Sequence, residues 1–140
     1  MCCCSCSCQE LKGFLRLVSR ARALDGTKFA GFAGIARRWP YSKRLQHCGE
    51  VGTWVMPNCR RRGVGVALWR DGILPWCEKH GFTHLGFFIM AHNNEGIAFY
   101  ENMGFRVCGY HRRLVNWNRE FLDAVEMEMC LKQKIANTEE

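Results

Sequence analysis

The sequence predicts a mixed α/β domain in which a helical crossover follows the third of several strands. Three observations predict it. Apolar and polar residues alternate with a period of two at 49–58 and 123–132, as strands require. A period near 3.6 runs from Val64 to His80, as an amphipathic helix requires. Gly81 and Gly104 stand just past the two helical stretches, where the chain turns left-handed to stop a helix. With 140 residues, 48% hydrophobic and 24% charged, the chain has the size and composition of one globular domain.

From Leu11 to Arg38, two apolar runs are separated by ALDGTK, and Asp25-Gly26 is a tight-turn signal. A hairpin with strands near 14–21 and 28–36 is expected, although Leu11, Phe14, Leu15 and Val18 also fall at helical spacing. The proline, serine and basic residues of 39–48 read as a loop. On the strand at 49–58, Val51, Thr53 and Val55 face one way and Trp54 and Met56 the other, and Pro57 stops it. Val64, Leu68, Ile73 and Trp76 mark the helix, and a kink is expected at Gly72 and Pro75, because an interior proline costs about 3 kcal/mol. A strand at 83–91, the polar turn HNNEG, a short helix at 97–103 and strands at 105–113 and 123–132 complete the domain. Its expected limits are 13–133, between a cysteine-rich, disordered tail at 1–12 and a polar tail at 134–140.

The apolar run LGFFIMA at 85–91 falls far short of the roughly 20 residues that span a bilayer, so no membrane association is expected. MCCCSCSCQE lacks the basic and apolar regions of a secretory signal, which makes the cytoplasm the expected compartment. Net charge is +7, and seven lysines and arginines lie between Arg37 and Arg62, favouring a polyanionic partner. Of ten cysteines, Cys48, Cys59, Cys77, Cys108 and Cys130 read as reduced thiols. Terminal Cys2, Cys3, Cys4, Cys6 and Cys8 could hold a soft metal or carry acyl chains. Only Cys3 and Cys6 have a ligand-pair spacing, and with no second pair no metal site is expected.

Residues 59–68, CRRRGVGVAL, place three arginines and two glycines at the mouth of the long helix. The first N–H groups of a helix lack intrahelical acceptors and carry about half a positive charge, so such an end binds phosphate. Gly63 and Gly65 bare the backbone while Arg60, Arg61 and Arg62 add charge. A nucleotide-binding P-loop would need Lys-Ser or Lys-Thr after its glycine, and a dinucleotide fingerprint a small residue where Leu68 stands; neither pattern is present.

The spacing Arg60-x-x-Gly63-x-Gly65 after Val55-Met56-Pro57 resembles the coenzyme A motif of the GNAT superfamily of acyl-CoA-dependent N-acyltransferases. Asn93 to Phe105, NNEGIAFYENMGF, resembles the second family motif, departing from it only at Gly96, where alanine is usual. Glu50, Trp54 and Pro57, with Gly109, Arg112, Phe121, Leu122, Asp123, Met127 and Leu131, resemble the branch of phosphinothricin-type, amino-acid and ribosomal-protein N-acetyltransferases. The resemblance covers residues 14–132 and implies a mostly antiparallel twisted sheet, with the helical crossover after the coenzyme-binding strand. Family members usually begin with a strand and two helices that wall the acceptor site; too few residues precede Phe14 for these, so an amino-terminally truncated version is implied.

By resemblance, the co-substrate is acetyl-CoA. Backbone amides from Arg61 through Gly63, Val64 and Gly65 to Val66 would hold its pyrophosphate, with Arg60 adding charge. The pantetheine arm would run along Trp54, Val55 and Met56, where a free amide, expected at Val55, would polarise the thioester carbonyl. Glu50 would accept the amine proton directly or through water, and Tyr100 would protonate the departing thiolate. Asn93 would bind pantetheine or cap its helix, and His92 is expected as a loop residue. The implied activity is direct acetyl transfer to a primary amine of a small molecule or a peptide amino terminus; dimers are common in the family, so a homodimer is among the expected partners. A truncated acyl-CoA binder without transferase activity is the alternative. A nucleic-acid binder using Arg60 to Arg62 ranks last, because it leaves the glycine and tyrosine spacings unexplained.

Overall fold

The computed structural model describes residues 4–5, 9–10, 16–22 and 29–131. Its strands, β1 (Cys4–Ser5), β2 (Gln9–Glu10), β3 (Arg16–Arg22), β4 (Phe29–Arg37), β5 (Cys48–Val55), β6 (His84–Met90), β7 (Arg106–Trp117) and β8 (Glu120–Cys130), form one sheet in the order β1-β3-β4-β5-β6-β8-β7, with β2 also paired to β3. Strands β3 (Arg16–Arg22) and β4 (Phe29–Arg37) pair antiparallel, so the hairpin and not the rival helix is formed; the Asp25-Gly26 turn lies outside the described residues. Within the stretch expected as a tail, the two-residue strands β1 (Cys4–Ser5) and β2 (Gln9–Glu10) pair with β3, which offers them its ladder groups. Strand β5 (Cys48–Val55) follows β4 antiparallel, and β6 (His84–Met90) runs parallel to β5 after the helical crossover.

The crossover helix runs through α1 (Val64–Leu68), a π-helical turn (Trp69–Ile73) and α2 (Leu74–Lys79). The kink expected at Gly72 and Pro75 takes the form of that wider turn. Pro75 has no N–H, and in a regular α-helix its ring would collide with the carbonyl of Asp71. The Leu74 N–H donates instead to the Trp69 carbonyl, five residues back, which widens the turn before the proline. Leu68, Trp69, Ile73 and Cys77 form its fully buried stripe, and Gly81, at φ +75°, ends the element.

Helix α3 (Asn94–Asn102) lies on the same face of the sheet, with Tyr100 edge-on to Trp69 at 6.0 Å between ring centroids. Strands β7 (Arg106–Trp117) and β8 (Glu120–Cys130) are longer than the sequence suggests, forming a hairpin that runs on through 114–122. Its turn is Asn118-Arg119, both at positive φ (50° and 66°). That is the geometry of a two-residue hairpin turn, which usually advertises itself with a glycine that is absent here. Among the described residues, no helix is long and apolar enough to cross a membrane.

Burial sets an alkaline limit on stability. The Cys77 thiol is fully buried and is pushed up to about 12 from its ordinary 9.0, and the buried Tyr100 hydroxyl is raised as well. These groups hold their protons more tightly in the folded chain, so their contribution is complete below about pH 9 and declines as pH rises towards 12. Cys77 alone is expected to remove about 1.4 kcal/mol per pH unit in that window. Urea unfolding at about pH 8, 9.5 and 11 checks this; stability unchanged at the highest pH would show that the thiol ionises freely in the folded protein.

Candidate functional site

The sheet opens in its middle. Strands β5 and β6 pair only from Cys48–His84 to Glu50–Gly86. Beyond that rung β5 stays with β4 as far as Val55–Gly31, and β6 stays with β8 as far as Met90–Ala124, so the two halves diverge. A cleft of about 740 Å³ fills the opening, lined by Val51 to Val55, by Cys59 to Arg61 and Gly63 to Val66 of the loop and helix start, by Phe87 to Ile89, and by α3.

The register of β4 on β5 decides which backbone groups face this cleft. Met56 N–H donates to the Ala30 carbonyl at 2.8 Å. In an antiparallel ladder, successive residues alternate between bonding the partner strand and pointing away from it. Trp54 and Met56 therefore commit their amides to β4, while the main-chain groups of Thr53 and Val55, beyond the last rung shared with β6, point into the cleft. This corrects the expectation that all of Trp54, Val55 and Met56 offer backbone to a ligand. Val55 is the residue with a free N–H there, its carbonyl accepting from Arg60 Nε at 3.1 Å, and Met56 is not a cleft residue.

Gly63 is the N-cap of α1 at φ +79°, a conformation that glycine alone adopts without penalty. The first helical bond runs from Ala67 N–H to the Gly63 carbonyl at 3.0 Å, and no side chain caps the helix, so the amides of Val64, Gly65 and Val66 are left for a ligand. Gly65 has a different reason from the one expected. A Cβ there would sit 2.9 Å from the Phe99 ring, so this glycine admits α3 against α1. Arg61 reaches across the mouth to Glu95 at 3.2 Å, and Arg60 and Arg61 line the cleft, whereas Arg62 does not.

Tyr100 projects from α3 to the far wall. Its ring is 7% exposed, packed against Phe87 at 4.2 Å and Phe105 at 5.4 Å between centroids, yet it also lines the cleft. Burial raises its hydroxyl above the ordinary phenol value, and hydrogen bonds donated by the Thr53 hydroxyl and backbone N–H pull the other way. The Thr53 Oγ1 also accepts from the buried Trp69 indole N–H at 2.7 Å. Thr53 thus ties the floor of the cleft to its wall, a link that side-chain alternation along β5 does not reveal.

Asn93 caps α3, its Oδ1 accepting from Gly96 N–H at 3.0 Å. That cap explains the glycine at position 96: a Cβ there would lie 2.8 Å from Asn93 Nδ2 and 2.7 Å from Ile89 Cδ1. Glu50 stands exposed on the last paired rung, outside the cleft lining, so any proton it takes from a bound amine travels through water. His92 sits in the exposed turn before α3. Among the described residues, no three His, Cys, Asp or Glu side chains are grouped to hold a metal ion.

The profile of a family described as "Acetyltransferase (GNAT) family" matches residues 9–105. No curated protein matches the chain. Of solved structures, the ribosomal-protein-alanine N-acetyltransferase from Brucella melitensis is similar with a TM-score of 0.72 at 23% identity, over 81% of this chain and 69% of that one. A GCN5-related N-acetyltransferase from Kribbella flavida gives 0.72 at 25% identity, over 87% and 71%. A phosphinothricin acetyltransferase from Sinorhizobium meliloti, solved with AcCoA, gives 0.73 at 20% identity, over 84% and 61%.

Proposed function

The chain belongs to the acetyltransferase (GNAT) family, and on that premise we propose that it transfers the acetyl group of acetyl-CoA directly to a primary amine of a small molecule or a peptide amino terminus. The observation that carries this reading is the divergence of β5 and β6. It leaves the Val55 amide unpaired between a glycine-capped helix start and the buried Tyr100 hydroxyl.

Each residue then has a defined task. The amides of Val64, Gly65 and Val66, with Arg60 and Arg61 beside them, hold the diphosphate of the coenzyme. The Val55 N–H donates to the thioester oxygen as it gains charge. An amine with a pKa of about 8 to 10 arrives protonated and has to lose a proton before it attacks. Glu50 takes that proton through water, the new C–N bond forms, and the C–S bond breaks. Tyr100, which burial keeps protonated through neutral pH, gives its proton to the thiolate, and the second proton shed by the acylated nitrogen returns to it through water.

Calorimetric titration with acetyl-CoA, followed by a thiol-release assay on a panel of primary amines, tests the proposal. Saturable micromolar binding with amine-dependent thiol release is expected. Binding without release on any amine would leave an acyl-CoA binder, and a folded protein that binds nothing would end the reading altogether.

A further inference from the structure

The sheet face opposite the helices carries a second set of groups that the coenzyme reading leaves unused. Along β5 the side chains alternate, so Glu50, Gly52 and Trp54 share the face turned away from buried Val51. Trp54 stacks on Phe29 at 6.3 Å and packs at a tilt against Phe32 at 6.1 Å between ring centroids. Across the opening stands Phe88 of β6, 44% exposed, against Trp54 at 40%. Trp54 and Phe88 both line the cleft, so the opening passes through the sheet to this face.

Between the acid and the rings lies bare backbone. A Cβ built on Gly52 would meet no atom of the described residues beyond its chain neighbours within 4 Å, which leaves an open floor about 7 Å from Glu50 and from Trp54 along the strand. Charge on this face is uneven. Arg38 lies across Gly86 with its guanidinium paired to Glu126, which also holds His111. Glu50 makes no hydrogen bond or ion pair among the described residues, so its carboxylate is open to a ligand beside the floor.

Resting on the acyl-transfer reading, we propose that the acceptor is a primary amine bearing an aromatic ring and no carboxylate. Its ring lies against Trp54 and Phe88, and its nitrogen lies over Gly52 towards Glu50. Exposed aromatic side chains at the rim of a cleft mark a binding surface, and ring-on-ring contacts add to the burial of apolar area. An acceptor carboxylate would face Glu50 unpaired, because Arg38, the one buried guanidinium on this face among the described residues, is already neutralised by Glu126. A polycationic acceptor would be repelled over distance by a chain of net charge +7.

Initial rates with 2-phenylethylamine, hexylamine and phenylalanine at saturating acetyl-CoA test the assignment, alongside calorimetric titration with acetyl-CoA. The expected kcat/KM for 2-phenylethylamine is about tenfold or more above each of the others. Trp54→Ala should bring the ratio to hexylamine within about twofold, chiefly through KM, while Trp54→Phe keeps most of it. Gly52→Leu, which fills the floor, should cost the aromatic amine about tenfold or more with acetyl-CoA affinity within about threefold of wild type. Acetyl-CoA binding with equal or better turnover of hexylamine or phenylalanine, or with no turnover of the three, overturns the acceptor assignment alone. A folded protein that binds no acetyl-CoA overturns the acyl-transfer reading, and this one with it.

Discussion

Gly63→Glu is expected to weaken acetyl-CoA binding by more than about 100-fold, roughly 2.7 kcal/mol, and so to abolish it at working concentrations. Sterics do not cause the loss, since among the described residues no heavy atom beyond its chain neighbours lies within 4 Å of a Cβ built at Gly63. Two other effects do. At φ +79° a side chain adds about 1–2 kcal/mol of backbone strain. The new carboxylate also stands at the amides that would receive the diphosphate, and like charges about 4 Å apart near a protein surface repel by about 4 kcal/mol. Gly63→Asn separates the two contributions, because asparagine tolerates the left-handed conformation and adds no charge. It should lose less than about tenfold on the same calorimetric titration. Near wild-type affinity in the glutamate variant would show that the amides of Val64 to Val66 do not receive the diphosphate.

Tyr100→Phe should lower kcat by about 100-fold while acetyl-CoA affinity stays within about threefold, at the low end of what a positioned general acid supplies. The ring contacts to Trp69, Phe87 and Phe105 survive in phenylalanine, and Thr53 still receives the Trp69 indole, so the fold is expected to persist. Loss of one buried hydroxyl costs about 1 kcal/mol, which thermal unfolding will register without confusing it with collapse. The pH profile gives a second readout. Burial raises the Tyr100 hydroxyl above its ordinary 10.0, so the wild-type kcat should fall only above about pH 10, and this limb should vanish in the phenylalanine variant. Unchanged turnover would remove Tyr100 from proton donation.

Several elements of the fold are legible in the order of residues alone. The period-2 pattern at 49–58, the 3.6-residue pattern from Val64 and the stop at Gly81 correspond to β5, the crossover helix and its end. Two stretches are less so. A turn made of Asn118-Arg119 carries no glycine to announce it, so the hairpin tip at 114–122 has no local signal. The wide turn at Trp69–Ile73 answers to Pro75, but a proline in sequence signals only that the regular ladder fails, not how the chain accommodates it.

By itself the sequence determined that Arg60 to Val66 lie at a helix start and that Asn93 and Tyr100 lie at the cap and within a second helix, because capping, glycine placement and periodicity are local properties. Tertiary structure alone decided how they are used. Whether Trp54, Val55 or Met56 offers a free amide depends on the register of β4, through the bond from Met56 to Ala30, and that register has no trace in β5 itself. The exclusion of Glu50 from the cleft, the bridging position of Thr53, and the reach of the opening from Phe87 on one face to Phe88 on the other follow from where β5 and β6 cease to pair. Residue periodicity reports burial along one segment; a cavity exists only where segments distant in sequence part company, and its chemistry is set by the backbone groups that the parting leaves unpaired.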